Sequence, residues 1–461
     1  MLLETDTIAA IATPSGVGAI GVIRLSGSNS VELGGKVFKG KTNITSAKGY
    51  TILFGKFLDG KEVLDEVLVS VFKNPHSYTG EDSVEFSFHG SPFILQRALE
   101  ILIEKGARVA EPGEFTKRAF LNGKLDLSQA EGVADLIASE NKSSHHIAIN
   151  QMKGGFSSEI KKLREKLIEF AALIELELDF GEEDVEFANR DDLQSTVKKI
   201  NTVVKDLRAS FKLGNVIKNG IQTVIAGRPN AGKSTLLNAL LKEDRAIVSE
   251  IAGTTRDTIE EVMHVNGVAF RLIDTAGIRE ATDTIEAIGV QKTYDEIKKS
   301  SLLVYVYDAT TITQVEVNAD LEKLKHEDLQ IIVIANKRDE VEKMYYNLKK
   351  FVVDALPSNH VFISAKETEE VHNLTQILYQ KGIGNELQGK EVIVANARHY
   401  EALLNAERSL DKVLVGLETG VTGDLLAMDI KASLFSLGTI TGQVDVEDLL
   451  EYIFSKFCIG K

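Results

Sequence analysis

Residues 227–234 read Gly227-Arg228-Pro229-Asn230-Ala231-Gly232-Lys233-Ser234, the phosphate-loop pattern G-x-x-x-x-G-K-[ST], and no other stretch limits the possible folds so narrowly. A strand-like apolar run, Thr223-Val224-Ile225-Ala226, leads into it, and a helical pattern, Leu236-Leu237-Asn238-Ala239-Leu240-Leu241, leads out. A strand, a glycine-bounded loop and a helix start together aim backbone N–H groups at a phosphate. Gly227 and Gly232 permit φ values and close approaches that side chains forbid; Lys233 brings positive charge to the β- and γ-phosphates, and the Ser234 hydroxyl can ligate Mg²⁺.

Four downstream motifs follow in the order that a guanine-nucleotide site requires. Asp274-Thr275-Ala276-Gly277 comes after the apolar run Phe270-Arg271-Leu272-Ile273, which puts a carboxylate at a strand end where it can hold Mg²⁺ through water. Asn336-Lys337-Arg338-Asp339 follows Ile331-Ile332-Val333-Ile334-Ala335. The Asp339 carboxylate can accept from the N1–H and the exocyclic amine of guanine, whereas adenine would leave it unpaired, so the nucleotide expected is GTP. Ser364-Ala365-Lys366 after Val361-Phe362-Ile363 completes the base pocket, and Gly253-Thr254-Thr255-Arg256-Asp257 sits where a mobile loop would bring a threonine hydroxyl to Mg²⁺.

At 461 residues the chain should hold about three domains. With 53 Lys and Arg against 68 Asp and Glu, the net charge of −15 excludes a nucleic-acid coat by bulk charge, so any RNA contact must be local or shared with a partner. The single cysteine, Cys458, excludes an internal disulfide and suits a reducing compartment; between Phe457 and Ile459 it reads as a packed thiol, with a reactive one as the alternative. No basic n-region opens the chain and no run reaches the ~18 apolar residues of a membrane span, so a soluble, cytoplasmic protein is expected.

Residues 1–118 mix short strands and helices, an α+β domain. Gly16-Val17-Gly18-Ala19-Ile20-Gly21 matches the dinucleotide fingerprint formally, yet Val22-Ile23-Arg24-Leu25 after it is strand-like, so no helix N-terminus is there to hold a pyrophosphate. Residues 119–212 read as amphipathic helices over 126–140, 145–151 continuing through 156–179, and 191–211. Residues 213–385 alternate strands with helices, as a parallel sheet demands. Residues 386–461 are helical again, over 392–417 and 423–456, so the two helical blocks pair most simply into one bundle with an inserted Ras-like P-loop domain. His145 and His146 lack a partner at metal-ligand spacing and read as helix surface.

With these motifs the chain resembles the bacterial and mitochondrial tRNA modification GTPase family MnmE (TrmE). The likeness runs from Asp6-Thr7-Ile8-Ala9 to Phe457-Cys458-Ile459-Gly460-Lys461. It includes Tyr78-Thr79-Gly80-Glu81-Asp82, the stretch Pro112-Gly113-Glu114-Phe115-Thr116-Lys117-Arg118-Ala119-Phe120-Leu121-Asn122-Gly123-Lys124, and the Gly253–Asp257 motif. The resemblance implies an N-terminal tetrahydrofolate-binding and dimerising domain (1–118), a helical domain from both flanks (119–212 and 386–461) and the inserted GTPase domain (213–385). It implies a homodimer and an FAD-dependent partner, MnmG (GidA), with which the family places an aminomethyl or carboxymethylaminomethyl group on C5 of the wobble uridine of certain tRNAs. A one-carbon tetrahydrofolate such as 5-formyltetrahydrofolate would serve as cofactor.

The nucleotide set expected is Asn230, Ala231, Gly232, Lys233, Ser234 and Thr235; Ser249, Glu250, Ile251, Ala252, Gly253, Thr254 and Thr255; Asp274, Thr275, Ala276 and Gly277; Asn336, Lys337 and Asp339; and Ser364, Ala365 and Lys366. Ser234 and Thr255 would hold Mg²⁺. In Ras-like enzymes a glutamine after the Asp-x-x-Gly loop orients water, but here Ile278 follows Gly277, and an apolar side chain cannot do that. The resemblance points to Glu286 instead; a solvated helix-start glutamate is the alternative. Arg228 and Arg256 could each lean toward the phosphates or simply flank them at the surface. The resemblance puts K⁺ in the place of an arginine finger, held by the Asn230 side chain and backbone oxygens of Ser249, Ile251 and Thr254. It also carries Arg24, Glu85, Lys124 and Lys461 over as the folate site. A regulatory GTPase of the Era type, acting in ribosome assembly, is the competing class, but the basic KH-type module it would usually carry is not legible here.

Overall fold

The computed structural model describes residues 6–179, 190–243, 260–274, 294–326, 329–344, 360–383, 392–444, 450, 453–455 and 457–461. The chain divides into two compact units, one of residues 1–137, 149–201 and 405–461, the other of 138–148 and 202–404.

The first unit begins with β1 (Ile8–Ile11), β2 (Ile20–Ser26), α1 (Ser30–Val37), β3 (Phe38–Gly40), β4 (Thr51–Asp59), β5 (Glu62–Phe72), β6 (Ser83–His89), α2 (Pro92–Glu104), β7 (Arg108–Val109) and α3 (Glu114–Leu121). The seven strands form one sheet in the order β3-β4-β5-β6-β2-β1-β7, antiparallel apart from the β1/β7 pair. Alternation decides which face is buried. Val67, Val69 and Val71 of β5 and Val84, Phe86 and Phe88 of β6 point into a core closed by Leu95, Ala98, Ile101 and Leu102 of α2. This is the α+β domain expected. The dinucleotide-like glycine stretch leads into β2, a strand and not a helix.

Helices α4 (Leu127–Ile137), α5 (Lys142–Met152), α6 (Gly155–Asp179), α7 (Arg190–Ala209) and α8 (Phe211–Asn219) follow. Two of these correct the sequence reading. The helix expected to run unbroken from 145 to 179 is interrupted before α6, where Gly154 takes φ +84°, a left-handed turn that stops a helix. Helix α8 crosses the boundary expected at 212/213.

The second unit carries β8 (Ile221–Ala226), α9 (Lys233–Glu243), β9 (Glu260–Val265), β10 (Val268–Asp274), β11 (Leu302–Asp308), α10 (Gln314–Leu324), β12 (Gln330–Asn336), α11 (Arg338–Met344), β13 (His360–Phe362) and α12 (Thr368–Ile383). Its sheet has the order β13-β12-β11-β8-β10-β9, with only β9 antiparallel to its neighbour. Helices cover both faces, so the central strands are mostly apolar: all seven residues of β11 are buried, with Asp308 the one charged residue, at its end. Val304 and Val306 enter one core and Leu303, Tyr305 and Tyr307 the other. Strand β8 lies between β10 and β11, so strand order reverses there, and the carboxyl end of β8 is where an open α/β sheet offers a ligand crevice. The chain closes with α13 (Ala397–Thr419) and α14 (Gly423–Thr441); α14 packs on α6 within the first unit. Among the described residues no helix is long and apolar enough to cross a membrane.

Candidate functional site

The phosphate loop leaves β8 at Gly227, which takes φ +150° with its Cα against the Val306 carbonyl, so a side chain there would overlap the backbone of β11. Asn230 and Gly232 adopt φ +61° and +88°. These left-handed residues turn successive N–H groups toward the space in front of α9, where a phosphate would sit. Lys233 is nearly buried, and its Nζ donates to the carbonyls of Gly227 at 2.7 Å and Arg228 at 2.9 Å. Ser234 and Thr235 are exposed on the first turn of α9. The backbone of Asp274 pairs with Ile225 near the end of β8, so β10 ends beside the loop.

Asn336 joins the loops. It is 3% exposed; its Nδ2 donates to the Ala231 carbonyl at 2.8 Å, and its Oδ1 accepts from Ala365 N–H at 2.9 Å. One side chain thereby fastens the base-recognition loop and the Ser364–Lys366 turn to the phosphate loop. Gly232 is required beside it, because a Cβ there would strike the Asn336 amide. Asp339 accepts from Ser364 Oγ at 2.9 Å and Lys366 Nζ at 3.2 Å. Burial pushes its carboxyl up, but these two donors reverse that and leave it below the usual carboxylate value. Lys337 takes φ +68°, and its Nζ donates to Asp308 Oδ2 at 2.7 Å; that bond raises the Lys337 pKa. Asp308 ends β11 and also accepts from Thr310 N–H and Oγ, a positioning role that sequence reading missed.

The structure thus brings Asn230 through Thr235, Asn336, Lys337, Asp339, Ser364, Ala365 and Lys366 to one end of one sheet. Ser249, Glu250, Ile251, Ala252, Gly253, Thr254, Thr255, Thr275, Ala276, Gly277 and Glu286 lie outside the described residues, as do Arg256 and the side chain of Asp274. Of the two arginines left open by the sequence, Arg228 points away from the loop: its guanidinium meets Asp320 and Glu316 of α10.

A second cluster lies in the first unit. Arg24 and Glu85 are directly paired across β2 and β6, with Nε to Oε1 at 2.7 Å. The guanidinium lies 5.4 Å from the Tyr78 ring centre and 5.6 Å from that of Phe115. The C-terminal residues fold onto the same spot: Arg24 Nη1 donates to the Gly460 carbonyl at 3.4 Å, and Lys461 Nζ stands 5.9 Å from the Tyr78 ring centre. Burial and the neighbouring Arg24 lower the Lys461 pKa, against the pull of Glu85. Lys124 reaches the loop that carries Tyr78, donating to the Pro75 carbonyl at 3.0 Å. Tyr78 and Phe115, which sequence reading did not name as site residues, lie inside two of the motif stretches that carried the resemblance. The packed-thiol reading of Cys458 is corrected: the cysteine is exposed, and it is its carbonyl that accepts from Gly113 N–H at 3.4 Å. His145 and His146 are exposed on α5, and no cluster of three or more metal-ligand residues occurs among the described residues.

Two family descriptions match the chain: the N-terminus of the GTP-binding protein TrmE over residues 7–124, and the MnmE helical domain over residues 127–458. The tRNA modification GTPase MnmE of Cytophaga hutchinsonii is 52% identical over 458 residues, covering 99% of this chain and 98% of that protein. The chain belongs to the MnmE family of tRNA modification GTPases. The MnmE of Flavobacterium johnsoniae is 50% identical over the whole of both proteins. Among solved structures, a point variant of Era of Aquifex aeolicus bound to GDP·AlF₄⁻ aligns with 41% of this MnmE-family chain and 66% of its own, at 26% identity and a TM-score of 0.28. Family membership accounts for the joining of an N-terminal α+β domain, a helical domain and a P-loop GTPase domain in one chain.

Proposed function

We propose that this GTP-hydrolysing enzyme of tRNA modification works with an FAD-dependent MnmG (GidA) partner to add an aminomethyl or carboxymethylaminomethyl group to C5 of uridine at the wobble position of certain tRNAs. It acts in the cytoplasm as a homodimer. The observation that carries this reading is the Arg24–Glu85–Lys461 cluster, which nucleotide hydrolysis alone does not need. A carboxylate beside two cations between aromatic rings suits a reduced pterin: Glu85 accepts from its amino and N–H donors, and Arg24, Lys461 and Lys124 meet the anionic glutamate tail. The one-carbon tetrahydrofolate held there would supply the methylene carbon.

In the GTPase domain the loop amides bind the phosphates, and Lys233 exchanges its two carbonyl partners for phosphate oxygens. Asp339 gives up bonds from Ser364 and Lys366 to accept the two guanine donors. Ser234 and Thr255 would hold Mg²⁺, and Asn230 with the backbone of Ser249, Ile251 and Thr254 would hold K⁺; the exposed Ser234 hydroxyl at the start of α9 and the left-handed Asn230 fit these roles. Such cations neutralise charge that develops between the phosphates. Glu286 positions the water that attacks the γ-phosphorus as its bond to the bridging oxygen breaks. Mass spectrometry of wobble uridine in tRNA from cells lacking this chain tests the proposal. Loss of the C5 substituent is expected; intact modification overturns it and favours an assembly GTPase.

A further inference from the structure

The phosphate loop is held from behind by a feature that the hydrolysis scheme does not use. Arg228 follows Gly227, which takes φ +150°, and its carbonyl accepts from Lys233 Nζ at 2.9 Å. Its side chain runs to α10. Nε donates to Asp320 Oδ2 at 2.8 Å and Nη2 to Oδ1 at 3.3 Å, while Nη1 donates to Glu316 Oε1 at 2.7 Å. Each carboxylate also accepts from a second residue. The hydroxyl of the buried Tyr305 donates to Asp320 Oδ2 at 2.6 Å, and Glu316 Oε2 accepts from Thr313 N–H at 3.1 Å and Oγ1 at 2.8 Å in the capping box that starts α10.

We propose that Asp320, supported by Glu316, is a positioning residue for the nucleotide: it clamps Arg228 and so fixes the phosphate-loop backbone from which the N–H groups and Lys233 meet the phosphates. Three of the arginine's donors are engaged, which keeps the guanidinium from acting as a finger toward the phosphates. An isolated surface ion pair contributes little, but a two-pronged arginine grip on a carboxylate already tied to a buried tyrosine is organised in advance. Asp320 is the better shielded carboxylate, 22% exposed against 44% for Glu316, and it carries more of the effect. Helix α10 thereby becomes a lever on the phosphate loop, since a partner that shifts it changes how firmly the nucleotide is held. The inference rests on residues 227–234 being the phosphate loop.

The test is stopped-flow dissociation of fluorescent GDP and GTP from the full chain, with steady-state hydrolysis and melting of the nucleotide-free protein alongside. Asp320→Asn keeps the shape and removes the charge. It should speed dissociation about tenfold and raise KM in parallel, with kcat at saturating GTP unchanged within about twofold. Arg228→Ala should do the same, and the double variant should be no worse than Arg228→Ala alone. Wild-type dissociation in Asp320→Asn, additive losses in the double variant, or a fall in kcat at constant KM would each overturn the proposal. Should Asp320→Asn fail to fold, Arg228→Lys carries the test, because it retains charge but loses the two-pronged grip. Several-fold faster dissociation supports the clamp and an unchanged rate refutes it. Failure of the wild-type chain to bind either fluorescent nucleotide would instead overturn the phosphate-loop assignment itself.

Discussion

Replacing Asp339 by Asn should turn a guanine site into one that prefers xanthine. A hydrogen bond to a charged group contributes about 1.5–3 kcal/mol, so two bonds to guanine would give about 3–6 kcal/mol if the carboxylate started without partners. It does not: Ser364 Oγ and Lys366 Nζ donate to it, and the side chain is 21% exposed. Binding therefore exchanges partners, and the net loss should be about 2–4 kcal/mol, or roughly 30- to 1000-fold in Kd. The Asn amide offers one acceptor for the base N1–H and one donor for the 2-keto oxygen of xanthine, so xanthosine triphosphate should recover most of what GTP loses. Titration of a fluorescent nucleotide competed with GTP, ATP and xanthosine triphosphate measures all three affinities. GTP affinity unchanged, or GTP and xanthosine triphosphate weakened alike while the melting temperature holds, would refute the base-recognition argument.

Three further outcomes are expected. Asn336→Ala strands the buried Ala231 carbonyl and Ala365 N–H and should lower stability by about 2–4 kcal/mol in chemical denaturation, with weaker GTP binding; a change under about 0.5 kcal/mol contradicts the bridging role. Arg24→Gln should abolish the calorimetric heat of 5-formyltetrahydrofolate binding while leaving GTP hydrolysis intact, and retained heat removes Arg24 from the folate site. In the N-terminal domain, burial pushes the Asp6 and Glu114 carboxyls up, but hydrogen bonds from Arg108 and Arg118 hold both below their ordinary values. Depressed carboxylate pKa values stabilise the fold above the unfolded values and lose that contribution as pH falls through the folded ones, so melting should hold steady down to about pH 5 and drop below about pH 4; a flat profile through pH 3 contradicts it.

The phosphate loop, its flanking strand and helix, and the base-recognition residues were legible because they are local: each is a strand end followed by a turn with fixed chemistry. Contacts set by register were not. Arg24 and Glu85 are 61 residues apart, and only the β2/β6 pairing makes them opposite neighbours. Tyr78 and Phe115 beneath the guanidinium, and the return of Lys461 to the same place, depend on folding across the length of the unit. Helix α8 was obscured by Gly214, a poor helix former kept because its Cα packs against the Val394 carbonyl. Arg228 pointed either way on sequence grounds, since nothing local shows that α10 brings two carboxylates to it. The Cys458 thiol misled because its apolar neighbours suggested packing, whereas Ile459 beside it is itself 57% exposed.

The most direct test of the account is nucleotide turnover by the purified chain in Mg²⁺ with KCl or NaCl. GTP should be bound and hydrolysed, several-fold faster in K⁺, and excess ATP should not compete. Hydrolysis at equal rates in both salts would remove the K⁺ site, and ATP competing as well as GTP would contradict the guanine cradle formed by Asn336, Asp339 and the loop at Gly227–Ser234.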